Sequence, residues 1–192
     1  MKKEKAILIM DSKTIARSLI RIAHEILERN RGAKHLAIIG IKTRGAYLAE
    51  RIANIIESIE KVKLPVGLMD INLYRDDVQS KKEQPVIQKT EISFDVVEKT
   101  IILVDDVLFT GRTIRAALDQ IVDFGRPRSI QLAVLIDRGH RELPIRADYV
   151  GKSIPTSSDE LVKVKIKEVD GEDNVSVIQD QKRKKRIKTG KQ

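Results

Sequence analysis

Two adjacent carboxylates, Asp105 and Asp106, stand directly behind the apolar run Ile101, Ile102, Leu103, Val104. Directly ahead of them come Val107, Leu108, Phe109, Thr110, Gly111, Arg112 and Thr113. Carboxylates repel phosphate but accept hydrogen bonds, so the pair suits sugar hydroxyls or a hard cation. The residues after it have the opposite character. Gly111 lets the backbone turn sharply and come close to a ligand. Thr110 and Thr113 add hydroxyl donors. A turn that opens a helix also offers free N–H groups at the positive end of the helix dipole. An acid pair followed by a phosphate cradle fits a ligand that carries hydroxyls and a phosphate together, that is, a phosphorylated ribose. The GxxxxGK[ST] pattern is absent, so this is not a P-loop. A second polar stretch, Lys42, Thr43, Arg44 and Gly45, follows the apolar run 35–41. Taken alone, each stretch also reads as an ordinary turn with solvated charges.

The elements that must position these residues follow from periodicity. Ile15, Leu19, Ile22 and Ile26 recur at helical spacing and predict a helix over 12–30, with Arg17, Arg21 and His24 together on its opposite face. The apolar runs 35–41, 100–105 and 130–136 read as strands buried on both faces, and 66–74 as a further strand. Helices are expected from about 46 to 60 and over 112–124. Alternating buried strands and helices predict an α/β fold: a doubly wound, mostly parallel sheet flanked by helices. In such sheets ligands bind off the carboxyl ends of the strands, where both polar stretches fall. The long polar connection after the third strand has the length of a lid. Alternating segments over 147–178 predict small antiparallel additions.

The net charge of +9 is unevenly placed. Residues 182–192, KRKKRIKTGKQ, carry seven of the Lys and Arg side chains and no acid, leaving +2 for residues 1–181. The expectation is a single domain over 1–181 and a basic, disordered tail that attracts polyanions. The absence of cysteine excludes disulfides, thiolate metal sites and cysteine nucleophiles. His24, His35 and His140 are too scattered to argue for a metal site. The apolar stretch Ala6 to Met10 is too short for a signal segment, and a cytoplasmic location is expected. Only three Tyr, three Phe and no Trp are present, which argues against an aromatic platform for stacked bases.

VDDVLFTGRT closely resembles the PRPP-binding motif of the type I phosphoribosyltransferases, where PRPP is 5-phosphoribosyl 1-diphosphate. GIKTRG (40–45), DINLYRDD (70–77) and DRGHRELPIRADYVGK (137–152) extend the resemblance, in order and spacing. Together they resemble the family of pyrimidine-operon attenuators that also act as uracil phosphoribosyltransferases, over about residues 4–178. The resemblance implies the type I fold with a hood over about 137–178 and a flexible lid over about 72–90. It places the ribose hydroxyls on Asp105 and Asp106, and the 5-phosphate on the backbone of 107–113 with Thr110 and Thr113. Lys42, Thr43, Arg44 and Gly45 become the diphosphate loop. Tyr74, Arg75, Asp76 and Asp77 head the lid. The base lies against Asp137, Arg138, Gly139 and His140 together with Gly151, Lys152, Ser153 and Ile154. Magnesium accompanies PRPP, with protein ligands unassigned. Uracil and UMP or UTP are the small-molecule partners. In this family UMP-bound protein binds pyrimidine-operon leader mRNA and promotes termination. Arg17, Arg21, His24, Arg141, Arg146 and Lys152 are the candidate RNA surface, and a homodimer or homotetramer is expected. The alternative is a nucleobase phosphoribosyltransferase without specific RNA regulation. Two positions depart from the family pattern: Ser153 replaces an asparagine and Ile20 a threonine.

Overall fold

The computed structural model describes residues 6–71 and 90–179. A five-stranded parallel sheet forms its centre. In chain order its strands are β2 (Leu36–Ile41), β3 (Val66–Met69), β4 (Thr100–Leu108), β5 (Ser129–Asp137) and β6 (Tyr149–Ser153), and in space they run β3-β2-β4-β5-β6. Helices α1 (Ser12–Asn30) and α2 (Arg44–Glu60) cover one face, and α3 (Arg112–Asp123) the other. Each face holds its own apolar core. Ile15, Ile22, Ile26, Leu48, Ile52 and Ile56 pack on Ile38, Ile102 and Val104 on one side. Ile114, Ala117 and Ile121 pack on Ile39, Ile101 and Leu103 on the other. Successive residues of β2 and β4 thus point into different cores, which is why both strands read as unbroken apolar runs.

A smaller antiparallel sheet, β1-β8-β7, is built from β1 (Ile7–Met10), β7 (Glu160–Lys165) and β8 (Asn174–Gln179). A single helical turn, α4 (Lys167–Asp170), joins β7 to β8. Helix α1 starts cleanly because the Asp11 carboxylate accepts the Thr14 N–H at 2.8 Å.

The doubly wound sheet agrees with the sequence reading, and four boundaries differ. Strand β3 ends at Met69 rather than 74. Helix α2 begins at Arg44, so half of the expected diphosphate loop is its first turn. Strand β6 is not an antiparallel addition. It pairs in parallel with β5, Ala133 with Tyr149 and Asp137 with Ser153. Strand β4 runs to Leu108, because Val107 and Leu108 still pair with Ile136 and Asp137 of β5. Residues Tyr74, Arg75, Asp76 and Asp77, most of the expected lid, and the tail 182–192 lie outside the described residues.

Candidate functional site

The extra length of β4 decides where its carboxylates stand. Pairing with β2 stops at Gly40–Val104, whereas pairing with β5 continues past Asp105. Asp105 is therefore the first residue of β4 without a β2 neighbour. The chain after β2 crosses to α2 and β3 on one side, and the chain after β4 crosses to α3 and β5 on the other. The carboxyl ends of β2 and β4 form the crevice where open α/β sheets hold ligands.

The first turn of α2 fills the place that β2 vacates. A Cβ on Gly45 would stand 2.6 Å from the Val104 carbonyl oxygen, 3.1 Å from Asp105 Cα and 3.4 Å from Asp105 Oδ1. Only glycine permits this approach, and it brings Lys42–Gly45 against the acid pair. The Lys42–Thr43 peptide is cis. Lys42 pairs with Glu91 at 3.6 Å, and Arg44 forms a two-pronged pair with Asp170 of α4 at 3.0 and 2.8 Å. Asp105 is buried, and its Oδ1 accepts the Asp106 N–H at 2.9 Å. Burial pushes the Asp106 carboxyl above the usual carboxylate range, against the opposing pull of Asp105 and the Arg44 charge. A cation or hydroxyl donor brought to Asp106 would offset that cost.

The turn after β4 is the expected cradle. Gly111 has φ +94 and stands at the N-cap of α3, leaving the first N–H groups of that helix directed toward the turn. Thr110 and Gly111 line a cavity of about 410 Å3 with Thr113, Arg138 and Leu161. That is in the range of small-molecule sites. The loop after β5 is fixed to the same turn, because Glu142 and Leu143 donate their N–H groups to the Thr110 carbonyl.

The expected base residues come together at the carboxyl ends of β5 and β6. Asp137 is the register partner of Ser153, the Ile154 N–H donates to the Asp137 carbonyl at 2.8 Å, and the Gly139 N–H donates to Asp137 Oδ1. The His140 Nε2 lies 2.6 Å from the Thr156 carbonyl. Arg138 is buried. It stacks 4.1 Å above the Phe109 ring and donates to Thr156 Oγ1 and to the Ser157 and Glu160 carbonyls. It acts as a tie between the turn after β4 and the segment at the start of β7.

The candidate RNA residues are not all on one surface. Arg17 and His24 are exposed on α1. Arg21 reaches the edge strand β6, donating to the Val150 and Gly151 carbonyls, and pairs with Glu25. That places it beside Lys152, whose Nζ lies 3.4 Å from the Ile9 carbonyl. Arg146 is exposed. Arg141 differs: its guanidinium is taken up by Asp137 Oδ2 and the Ile145, Phe109 and Gly139 carbonyls, at 2.6 to 3.1 Å. By its contacts it braces the loop after β5 against the turn after β4.

Sequence reasoning missed Asp170, Glu168 and Asp173, which hold Arg44 and Arg51 of α2. No local pattern marks them, since their partners are more than a hundred residues away. Among the described residues no cluster of three His, Asp or Glu could cage a metal, and no helix is long and apolar enough to cross a membrane.

A parallel sheet with an acid pair and two polar turns at one crevice has the arrangement of a phosphoribosyltransferase. The phosphoribosyl transferase domain family matches residues 9–168, and the chain belongs to it. Solved structures agree on the fold. A hypoxanthine phosphoribosyltransferase of Staphylococcus aureus superposes with a TM-score of 0.66 at 21% identity, covering 90% of this chain and 92% of that one. Its Trypanosoma cruzi counterpart gives 0.71 at 15% identity, covering 97% and 98%. Sequence relatives are far nearer. Bifunctional PyrR proteins of Deinococcus radiodurans and Clostridioides difficile are each 59% identical over 169 residues, 88% of this chain and 92% and 96% of theirs. That of Thermoanaerobacter pseudethanolicus is 62% identical over 162 residues, 84% of this chain and 91% of its own. Within the phosphoribosyltransferases, the chain is a member of the PyrR group.

Proposed function

We propose that the chain joins uracil to PRPP, giving UMP and diphosphate. We propose further that its UMP-bound form binds pyrimidine-operon leader mRNA and promotes termination. The junction at Gly45 carries the enzymatic reading. It brings a cationic loop against an acid pair, next to a helix N-terminus with hydroxyls. Three parts of PRPP then meet three kinds of partner. The 5-phosphate is held by the N-terminus of α3 with Thr110 and Thr113. The ribose hydroxyls donate to Asp105 and Asp106. The diphosphate faces Lys42, Thr43 and Arg44.

In the reaction the bond from ribose C1 to the diphosphate breaks, and a bond to a ring nitrogen of uracil forms as that nitrogen loses its proton. Positive charge grows on the ribose and negative charge on the leaving group. Asp105 and Asp106 favour the first, and Lys42 with Arg44 the second. Uracil is held over the ends of β5 and β6, against Asp137–His140 and Gly151–Ile154. Magnesium fits this donor set, since it is usually bound by one or two carboxylates together with substrate phosphates. Asp105 and Asp106 would be the carboxylates to hold it, and when bound it would neutralise charge on the diphosphate.

The RNA reading rests on the PyrR relatives and on α1. Arg17, Arg21 and His24 stand on one exposed face, continued by Lys152, with Arg146 exposed as well. Arg141 is left out, because its donors are engaged. A homodimer or homotetramer is part of the same reading. Exposed Ile7, Leu8, Val122 and Phe124 give such an assembly apolar surface to bury.

Two assays test the pair of roles. Chromatography of uracil with PRPP and magnesium should show UMP and diphosphate in equal amounts, and no UMP would end the enzymatic reading. Filter binding of the leader RNA should tighten with UMP, exceed binding to a scrambled RNA, and survive deletion of 182–192. Equal binding to both RNAs that disappears with the tail would leave a phosphoribosyltransferase without specific regulation.

A further inference from the structure

Arg44 and Arg51 stand two turns apart on α2, and both reach the short segment between β7 and β8. Arg51 takes a two-pronged grip on Glu168 at 2.9 and 2.6 Å and another on Asp173 at 2.9 and 2.9 Å. Hydrogen bonds donated to both carboxylates raise the Arg51 pKa, that to Asp173 most. These pairs anchor the segment on α2. Between the two anchors lies Asp170. Its Oδ2 accepts Arg44 Nε at 3.0 Å and the Ile166 N–H at 2.8 Å, and its Oδ1 accepts Arg44 Nη2 at 2.8 Å. The Asp170 carboxylate is thus fixed by backbone as well as by Arg44.

A guanidinium carries five N–H donors in one plane. Asp170 takes the Nε–H and one Nη2–H, all on one edge. The other Nη2–H and both Nη1–H groups lie on the remaining edges, and among the described residues Arg44 has no further hydrogen-bond acceptor. The same side chain feels the charge of Asp106 in the PRPP motif. Its plane is therefore set between the hood segment and the acid pair, with a second fork left over.

We propose that Asp170 is a positioning residue for diphosphate. By holding the Nε edge of Arg44, it presents the Nη1 edge to the diphosphate of PRPP and to free diphosphate. The inference deepens the phosphoribosyltransferase reading and rests on it. Planar two-pronged contacts lose much of their strength when the plane turns, and group transfer is sensitive to misplacement of about 1 Å. An Arg44 free to rotate would still supply charge without supplying direction.

The test uses the full chain and compares two ligands. Diphosphate reports on the Arg44 edge, whereas UMP shares the ribose 5-phosphate and lacks diphosphate. Asp170→Asn should raise the KM for PRPP and the inhibition constant of diphosphate about tenfold, with inhibition by UMP unchanged. Asp170→Glu should recover part of the loss. In an Arg44→Ala background Asp170→Asn should add nothing. Glu168→Gln loosens the same segment and leaves Asp170 on Arg44, so it should lower the melting temperature without changing the diphosphate constant.

If Asp170→Asn does not fold, Arg44→Lys carries the test. It keeps the charge and loses the fork, and the same tenfold loss for diphosphate is expected. Diphosphate affinity unchanged in Asp170→Asn or in Arg44→Lys would overturn the inference. So would a loss in Asp170→Asn that persists in Arg44→Ala, or an equal loss for UMP. Wild-type protein that makes no UMP and is not inhibited by diphosphate would instead overturn the reading beneath it.

Discussion

Replacing Gly45 with alanine separates site geometry from stability. The added Cβ would stand 2.6 Å from the Val104 carbonyl oxygen, while ordinary contact begins near 3.4 Å. The first turn of α2 must therefore retreat from β4 by about 0.8 Å. Overpacking of this kind costs about 1–3 kcal/mol. Alanine in place of glycine inside a helix returns about 1 kcal/mol, and Gly45 does not need a left-handed φ. The net destabilisation is about 0–2 kcal/mol, a fall in melting temperature of roughly 0–8 °C for a chain of this size. The effect on chemistry is larger. Lys42 and Arg44 move with the turn, away from the acid pair, and a misplacement near 1 Å costs about 10²-fold. Thermal unfolding followed by circular dichroism gives the first quantity. Initial rates of UMP formation at varied PRPP give the second. The expected result is a folded protein with kcat/KM for PRPP down on the order of 10²-fold. A folded Gly45→Ala with kcat/KM within about threefold of wild type would refute the claim that this contact sets the distance between the two loops.

Three further outcomes follow from individual contacts. Arg138→Leu removes a donor from the part-buried Glu160 carbonyl and the stack on Phe109. It should cost about 3 kcal/mol, read as a fall in melting temperature of roughly 6–12 °C. Asp106 has its pKa raised by burial, so its ionised form is lost at a higher pH than that of an ordinary aspartate. The acid limb of kcat/KM for PRPP should therefore lie above about pH 4 in wild type and vanish in Asp106→Asn. Glu168 and Asp173 have pKa values lowered in the fold: Glu168 chiefly by the hydrogen bonds it accepts from Arg51, and Asp173 because the upward push of burial is outweighed by hydrogen bonds from Arg51 and the Lys167 N–H. Groups depressed in this way stabilise above their unfolded pKa and lose that contribution as pH falls through the folded one. Wild type should lose melting temperature below about pH 4, and Arg51→Met should flatten that slope.

The parts of the fold set by apolar periodicity were legible. Ile15 to Ile26 recur at helical spacing because α1 buries one stripe, and 36–41 and 100–104 are unbroken because both faces of those strands are covered. The acid pair and the Thr-Gly turn were legible because each residue type has a local chemical reason. Boundaries failed where pairing with a distant strand decides them. Val107 and Leu108 look like turn residues until β5 is seen beside them, and Tyr149–Ser153 looks like a hairpin arm until it pairs in parallel. Arg141 shows the same limit for single side chains. In the sequence it is one more cation in a basic block, and only the fold reveals five engaged donor contacts around it.

The arrangement also explains why the cations of the proposed diphosphate loop need partners of their own. Lys42 and Arg44 stand in a crevice with the buried Asp105 and the half-buried Asp106, and are only partly exposed. Without carboxylates nearby, two cations on one short loop would repel each other and lose hydration. Glu91 and Asp170 relieve that repulsion from opposite sides, one beside β3 and one from α4. The two pairs are unequal. Lys42–Glu91 is long at 3.6 Å with an exposed glutamate, so an arriving phosphate displaces it readily. Arg44–Asp170 is short, two-pronged and backed by the Ile166 N–H. Diphosphate should therefore take Lys42 by exchange and Arg44 by addition, keeping Asp170 in place. On the proposed reading Arg44 should remain a fixed point of the loop through the reaction, while Lys42 should be the cation that changes partner.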